Sequence, residues 1–252
     1  MKYIGHRNGV WKRCSVHRNG DIPQWRESEC KGYEYVYNAQ LPWVEGMECD
    51  VRLTLDGRLV IHHDALYWSR QRGEWLNIQE NVYDNEMQDQ MDLLEDLLEM
   101  WICQEPSILS LYIELKDTGS EYRLFQLLQK YDLLQESTCC LISFHTLSLE
   151  RCRDLRTHFD AKVRLGQNLE APSWSSYFSC GHVELWPDAD VYNWEWKWFL
   201  WNYGVLWKQW RNGYHKIHNV FTINSRWMKA FFQRFSLCHA LFTDCVESVP
   251  SI

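Results

Sequence analysis

The chain has 252 residues, 46% of them hydrophobic, and a formal net charge of −8. That length suits one α/β barrel, and that apolar share supplies a large core. The acidic balance argues against a nucleic-acid binder, which needs a basic face, and no apolar run is long enough for a transmembrane helix.

The N-terminus, Met1 to Arg7, carries no signal-peptide apolar region and runs straight into the first strand candidate, 2–6. Ten cysteines are scattered without a CxxC pair. They read as reduced, mostly buried thiols of a cytoplasmic protein, and no cysteine–histidine spacing suggests zinc. The next strand candidates are 46–53 with 58–62, then 108–115, 139–144, 161–165, 181–185, 217–223 and 239–243. Between them, Leu93, Leu94, Leu97, Leu98 and Trp101 recur at helical spacing. So do Leu124, Leu127, Leu128 and Tyr131, and, less regularly, Leu147, Cys152 and Leu155. Segments 191–211 and 225–236 also read as helices. In the first of these, Trp194, Trp198, Trp201 and Val205 would share a face, which packs on the barrel or, in a rival reading, meets a membrane interface.

About eight strand–helix units in about 250 residues predict a (β/α)₈ TIM barrel. The alternative, a doubly wound open sheet, lacks its Gly-rich phosphate loop after the first strand. Residues 67–91 are polar and too long for a plain connection, so a small insertion after the second strand region is expected near the active face. The whole of 1–252 reads as one domain.

Carboxylates end two of the apolar runs. In a strand, residues i and i+2 share a face. Glu48 and Asp50 therefore aim at one spot, and Glu114 and Lys116 at another. Like charges grouped this way are costly unless a cation neutralises them. Taken alone, they also read as strand-end carboxylates paired with Arg7, Arg52 or Lys116. His6 and His63 occupy strand ends as well, while His62 points the other way. The stretch His6-Arg7-Asn8-Gly9 is repeated at His17-Arg18-Asn19-Gly20, but only the first copy follows a strand.

Motifs in order carry a resemblance. Ile4-Gly5-His6-Arg7, Glu45-Gly46-Met47-Glu48-Cys49-Asp50-Val51-Arg52-Leu53-Thr54-Leu55-Asp56-Gly57, and Leu59-Val60-Ile61-His62-His63-Asp64 open the series. Ile113-Glu114-Leu115-Lys116, Leu141-Ile142-Ser143-Phe144-His145, Val220-Phe221-Thr222-Ile223-Asn224 and Ala240-Leu241-Phe242-Thr243-Asp244 follow. Together they resemble the glycerophosphodiester phosphodiesterases across nearly the whole chain. The resemblance implies a TIM-barrel hydrolase that converts glycerophosphodiesters to sn-glycerol 3-phosphate and an alcohol. It implies that Glu48, Asp50 and Glu114 hold a divalent cation, Mg²⁺ or Ca²⁺, since hard oxygen ligands suit hard ions. It makes His6 and His63 the general base and acid. It assigns Arg7 and Lys116 to phosphate oxygens and Phe221 to the wall beside the glycerol.

Departures from the pattern sit at the family's P-E-N-T turn, whose window falls on Glu29 to Gly32 or around Glu27 to Glu29. Asn8 replaces a glycine, Phe221 a tryptophan, and His145 an Asn or Asp, adding a titrating group near the pocket. Two rivals stand beside the main reading. One is a lysophospholipase D, with residues 67–91 and the tryptophan stretch meeting an acyl chain. The other is a catalytically silent barrel that binds a phosphodiester. The expected partner is a small-molecule substrate, with peripheral membrane contact under the lysolipid reading.

Overall fold

The fold is that of a computed structural model, described over residues 2–6, 30–38, 43–103, 109–135, 138–170, 185–211, 216–235 and 238–244. Its strands are β1 Lys2–Gly5, β2 Val44–Leu53, β3 Leu59–Ile61, β4 Leu66–Ser69, β5 Glu74–Asn77 and β6 Ser110–Leu115. There follow β7 Cys139–Ser143, β8 Arg164–Leu169, β9 Val191–Glu195, β10 Ile217–Phe221 and β11 Ala240–Thr243. Eight of these, β1, β2 and β6 to β11, run parallel in sequence order, and β1 pairs with both β2 and β11. The sheet therefore closes on itself into the expected (β/α)₈ barrel.

The period-two alternation of the strands divides the core. Outward residues such as Tyr3, Met47, Cys49, Ile113, Leu141, Leu165 and Leu241 pack with helical residues Leu97, Trp101, Leu124, Leu128 and Phe232 in one large cluster. Inward residues Ile4, Tyr112, Cys140, Ile142, Val191, Ala240 and Phe242 form a separate plug inside the barrel. Gly46 makes room for that plug. A Cβ there would lie 2.6 Å from the Ser110 carbonyl oxygen and 3.2 Å from the Tyr112 ring.

The candidate 58–62, expected together with 46–53, is β3, which pairs antiparallel with β2. Other expectations shift. The strand expected at 161–165 is β8, Arg164–Leu169. The candidate 181–185 lies, apart from residue 185, outside the described residues. The strand between β8 and β10 is β9, Val191–Glu195, registered on both neighbours. The helical reading of 191–211 is thus correct only from Trp196, where the helix Trp196–Arg211 begins. Tryptophan spacing suggested one continuous helix, but Val191, Tyr192 and Trp194 suit a buried strand better. Trp194 is consequently a buried residue of β9, and of the other two tryptophans expected on that face Trp198 is buried while Trp201 is exposed.

Residues 67–91 form the expected insertion. An antiparallel hairpin, β4–β5, is followed by a 3₁₀ turn and the short helix Asn85–Gln88, capped by Asp84. Its inner side rests on a cluster of its own, Val60, Tyr67, Ile78, Met87 and Met91. Among the described residues, no helix is long and apolar enough to cross a membrane.

Candidate active site

Above the apolar plug, the inward positions turn polar at the strands' C-terminal ends, where barrel chemistry is built. A cavity of about 390 Å³ opens there, lined by His6, Glu48, His63, Glu114, Lys116, Phe144, Asn168, Glu170, Asn193 and Phe221 among others.

Glu48, Asp50 and Glu114 meet at one place, as the family resemblance implied, although strand alternation alone assigned Glu114 to a second spot. The cause is register: β2 and β6 are adjacent and parallel, and Asp50 is the direct partner of Glu114. Candidate ligand oxygens of the three lie within 4.8 Å of one another, and all three residues are buried. Lys116 bridges two of them, with Nζ 2.9 Å from Asp50 Oδ1 and 2.5 Å from Glu114 Oε1. One lysine cannot neutralise three buried carboxylates, so the donor set fits a divalent, oxygen-preferring cation. The electrostatics agree. Burial raises the Glu114 carboxyl, Lys116 opposes that, and Asp50 adds to it. Burial works to lower Lys116, but Glu114 and Asp50 hold it above the usual lysine value.

His6 follows β1 and faces Glu48, with Nε2 3.8 Å from Glu48 Oε2. Its Nδ1 pairs with Asp244 Oδ1 at 2.5 Å, just beyond β11. Asp244 is fixed in turn by Asn224, whose Nδ2 donates to Oδ2 and whose Oδ1 accepts the Asp244 backbone N–H at 2.9 Å. Burial opposes protonation of His6, yet Glu48, Asp244 and Asp50 together hold the imidazole above 6.5. His63 lines the same cavity from the loop after β3, with Nδ1 2.8 Å from Asp64 Oδ1. Its backbone carbonyl is clamped by Arg52 Nη2 at 2.6 Å and Nε at 3.0 Å, while Arg52 Nη1 donates to Asp117 at 2.6 Å.

Phe221 lines the cavity and meets Phe144 edge-on, ring centres 5.9 Å apart. Lys116 Nζ stands 5.8 Å above the Phe144 ring. His145 is exposed at the N-cap position of the helix Thr146–His158 and is absent from the cavity lining, to which its neighbour Phe144 belongs. Arg7, the repeat at residues 17–20 and Glu27 to Glu29 of the P-E-N-T window lie outside the described residues.

Sequence reasoning did not single out Asp244, Asn224, Asn168, Asn193 or Asn219 for a role. The first two sat in quoted motifs. The other three had a weaker signal, a lone amide at an inward position of an otherwise apolar strand.

No protein-family model matches the sequence, and no curated protein is similar to it. Solved structures are. A glycerophosphodiester phosphodiesterase from Parabacteroides distasonis superposes with a TM-score of 0.70 at 19% identity, over 96% of this chain and 92% of its own. One from Thermotoga maritima gives 0.68 at 17% identity, over 98% and 96%. The chain has the fold of the glycerophosphodiester phosphodiesterases. A phosphodiesterase of Oleispira antarctica, solved in complex with the product sn-glycerol-3-phosphate, gives 0.65 at 19% identity, over 97% and 93%.

Proposed function

We propose that this chain is a divalent-metal-dependent phosphodiesterase that hydrolyses glycerophosphodiesters to sn-glycerol 3-phosphate and an alcohol. The observation that carries the reading is convergence. Two histidines and the acidic cluster, drawn from separate strands and loops, meet at one cavity at the C-terminal end of a barrel of this fold.

Glu48, Asp50 and Glu114 would hold Mg²⁺ or Ca²⁺, which when bound supplies positive charge to the phosphoryl oxygens. The remaining chemistry belongs to the side chains. Asp244 engages His6 Nδ1, so proton transfer falls to Nε2. Asp64 engages His63 Nδ1 in the same way. One imidazole takes the proton of the attacking glycerol hydroxyl while the other gives one to the departing alcohol oxygen, and water, deprotonated in turn, then opens the cyclic phosphodiester to glycerol 3-phosphate. Lys116, with Arg7, offers positive charge to phosphate oxygens, and Phe221 provides an apolar wall for the glycerol carbons.

The test is release of glycerol 3-phosphate from glycerophosphocholine and glycerophosphoethanolamine, with Mg²⁺, with Ca²⁺ and with EDTA. Cation-dependent release is expected, and release that survives EDTA would refute the metal role. A second reading, a lysophospholipase D, is favoured by one observation. The hairpin that follows His63 exposes Leu66, Trp68 and Trp75, the two indoles 5.5 Å apart, as a surface suited to an acyl chain or bilayer interface. Head-group release from lysophosphatidylcholine vesicles, with none from the soluble diesters, would select it. No turnover of either, with ligand still bound, would leave a silent barrel.

A further inference from the structure

Three asparagines cross the barrel interior in a line. Asn168 on β8, Asn193 on β9 and Asn219 on β10 are direct register partners on neighbouring strands. None is more than 6% exposed. Asn219 Nδ2 donates to Asn193 Oδ1 at 3.0 Å, Asn193 Nδ2 donates to Asn168 Oδ1 at 2.8 Å, and Asn168 Nδ2 donates to Glu114 Oε2 at 3.0 Å. Every amide donates in the same direction, toward the carboxylate.

That common direction has a cause. An ionised carboxylate only accepts, so Glu114 requires the NH₂ side of Asn168. The oxygen of Asn168 must then face Asn193, which fixes that amide and, through it, Asn219. A chain of buried, fully made hydrogen bonds polarises along its length. Space has been kept for it. A Cβ on Gly166 would lie 3.4 Å from Asn193 Nδ2 and 2.9 Å from Ile142 Cγ2. Asn219 is two amides removed from Glu114 and is absent from the cavity lining.

We propose that Asn219, Asn193 and Asn168 form a positioning relay that fixes the Glu114 carboxylate as an oxygen ligand. The relay rests on the reading of Glu114 as part of a metal site. Outer partners of metal ligands set affinity by holding the ligand in one orientation, and losing one weakens binding about 10–100-fold. The relay extends that action to a residue that touches neither ligand nor cavity.

Asn219→Asp tests this directly. The substitution keeps the shape but removes the donor toward Asn193. Asn193 is then driven to turn its NH₂ toward position 219, Asn168 turns in response, and an amide oxygen faces Glu114. The whole chain, wild type and Asn219→Asp, is titrated calorimetrically with Mg²⁺ and with Ca²⁺, and both are melted in EDTA. Affinity about tenfold weaker in the variant is expected. Wild-type affinity in the variant, with or without a lower melting temperature, would reduce the line to a structural one and overturn the proposal. A wild type that binds neither cation would instead sink the metal reading beneath it, a result readily told apart. Should the variant not fold, side-chain amide exchange by NMR in the wild type decides. Slow exchange for all three NH₂ groups supports the relay, and rapid exchange at Asn193 overturns it.

Discussion

Replacing Lys116 with methionine isolates the charge balance of the site. Lys116 is 13% exposed and its Nζ contacts Asp50 Oδ1 at 2.9 Å and Glu114 Oε1 at 2.5 Å. Methionine keeps most of the apolar stem and removes only the charge. Stripping one partner from a buried ion pair costs about 3–5 kcal/mol, because the remaining charge stays desolvated. Here one cation serves two carboxylates with a third nearby, so the upper half of that range applies. For a chain of this size each kcal/mol moves the midpoint by about 2–4 °C, so the variant should melt on the order of 10 °C lower in EDTA. A bound cation should then recover stability, by about 2.7 kcal/mol at a hundredfold excess over its dissociation constant. The recovery should exceed that of the wild type, whose lysine already offsets part of the charge. Differential scanning calorimetry of both proteins, in EDTA and in saturating Mg²⁺ or Ca²⁺, reads all four states. A variant that melts with the wild type in EDTA, or gains nothing from either cation, would refute the reasoning.

His63→Ala should lower turnover of glycerophosphocholine by about 10²–10⁴-fold with an unchanged circular dichroism spectrum, and near-normal turnover would remove His63 from the mechanism. Glu114→Gln keeps the side-chain shape and should weaken calorimetric Mg²⁺ binding and turnover together, so a loss of turnover at unchanged affinity would contradict its role as a ligand. Away from the site, His218 Nδ1 accepts the Trp194 indole N–H at 3.0 Å, and burial with His239 nearby pushes its imidazole down to about 4. The unfolded chain takes up this proton near 6.5 and the folded chain does not, so stability should fall as pH drops from about 6.5 to about 4. At 1.36 kcal/mol per pH unit the loss is about 3 kcal/mol, and His218→Phe should flatten it in urea titrations. Parallel acid slopes for the two proteins would disprove the assignment.

The barrel was legible because its strands are short apolar runs ending in polar residues, and their count points to (β/α)₈. β9 escaped because all five of its residues fall at the start of an aromatic stretch, 191–211, with helical spacing. Glu48, Asp50 and Glu114 were visible singly from strand alternation, and their meeting only through the ordered motifs. Strand alternation says which face a side chain takes and nothing about which neighbour shares it, and only the register of Asp50 on Glu114 joins the two spots. Asp244 lay in a motif without an assigned task, since its partner His6 stands 238 residues away. The asparagine line was hidden for the same reason, each member being one polar residue in its own strand.

Glu48, Asp50, Glu114 and Asp244 are each answered by a group from another strand or loop of the barrel. Glu48 is faced by His6 from the end of β1, Asp50 by Lys116 from beyond β6, and Glu114 by both Lys116 and Asn168 of β8. Asp244, past β11, closes the ring through His6. No single strand or hairpin holds a balanced set, so an isolated fragment would expose carboxylates that repel. Closure of the barrel is what brings the compensating groups together. The apolar plug beneath, Tyr112 against Phe242 with ring centres 5.3 Å apart, supplies the packing that keeps the closed form. Folding energy and chemistry are therefore stacked along the barrel axis: substitutions in the plug should act on stability alone, while those one layer up should also change cation affinity and turnover. Glu48 and Asp50 sit at the boundary, inward residues of β2 whose outward neighbours Met47, Cys49 and Val51 are core, and His6 joins them from just past β1.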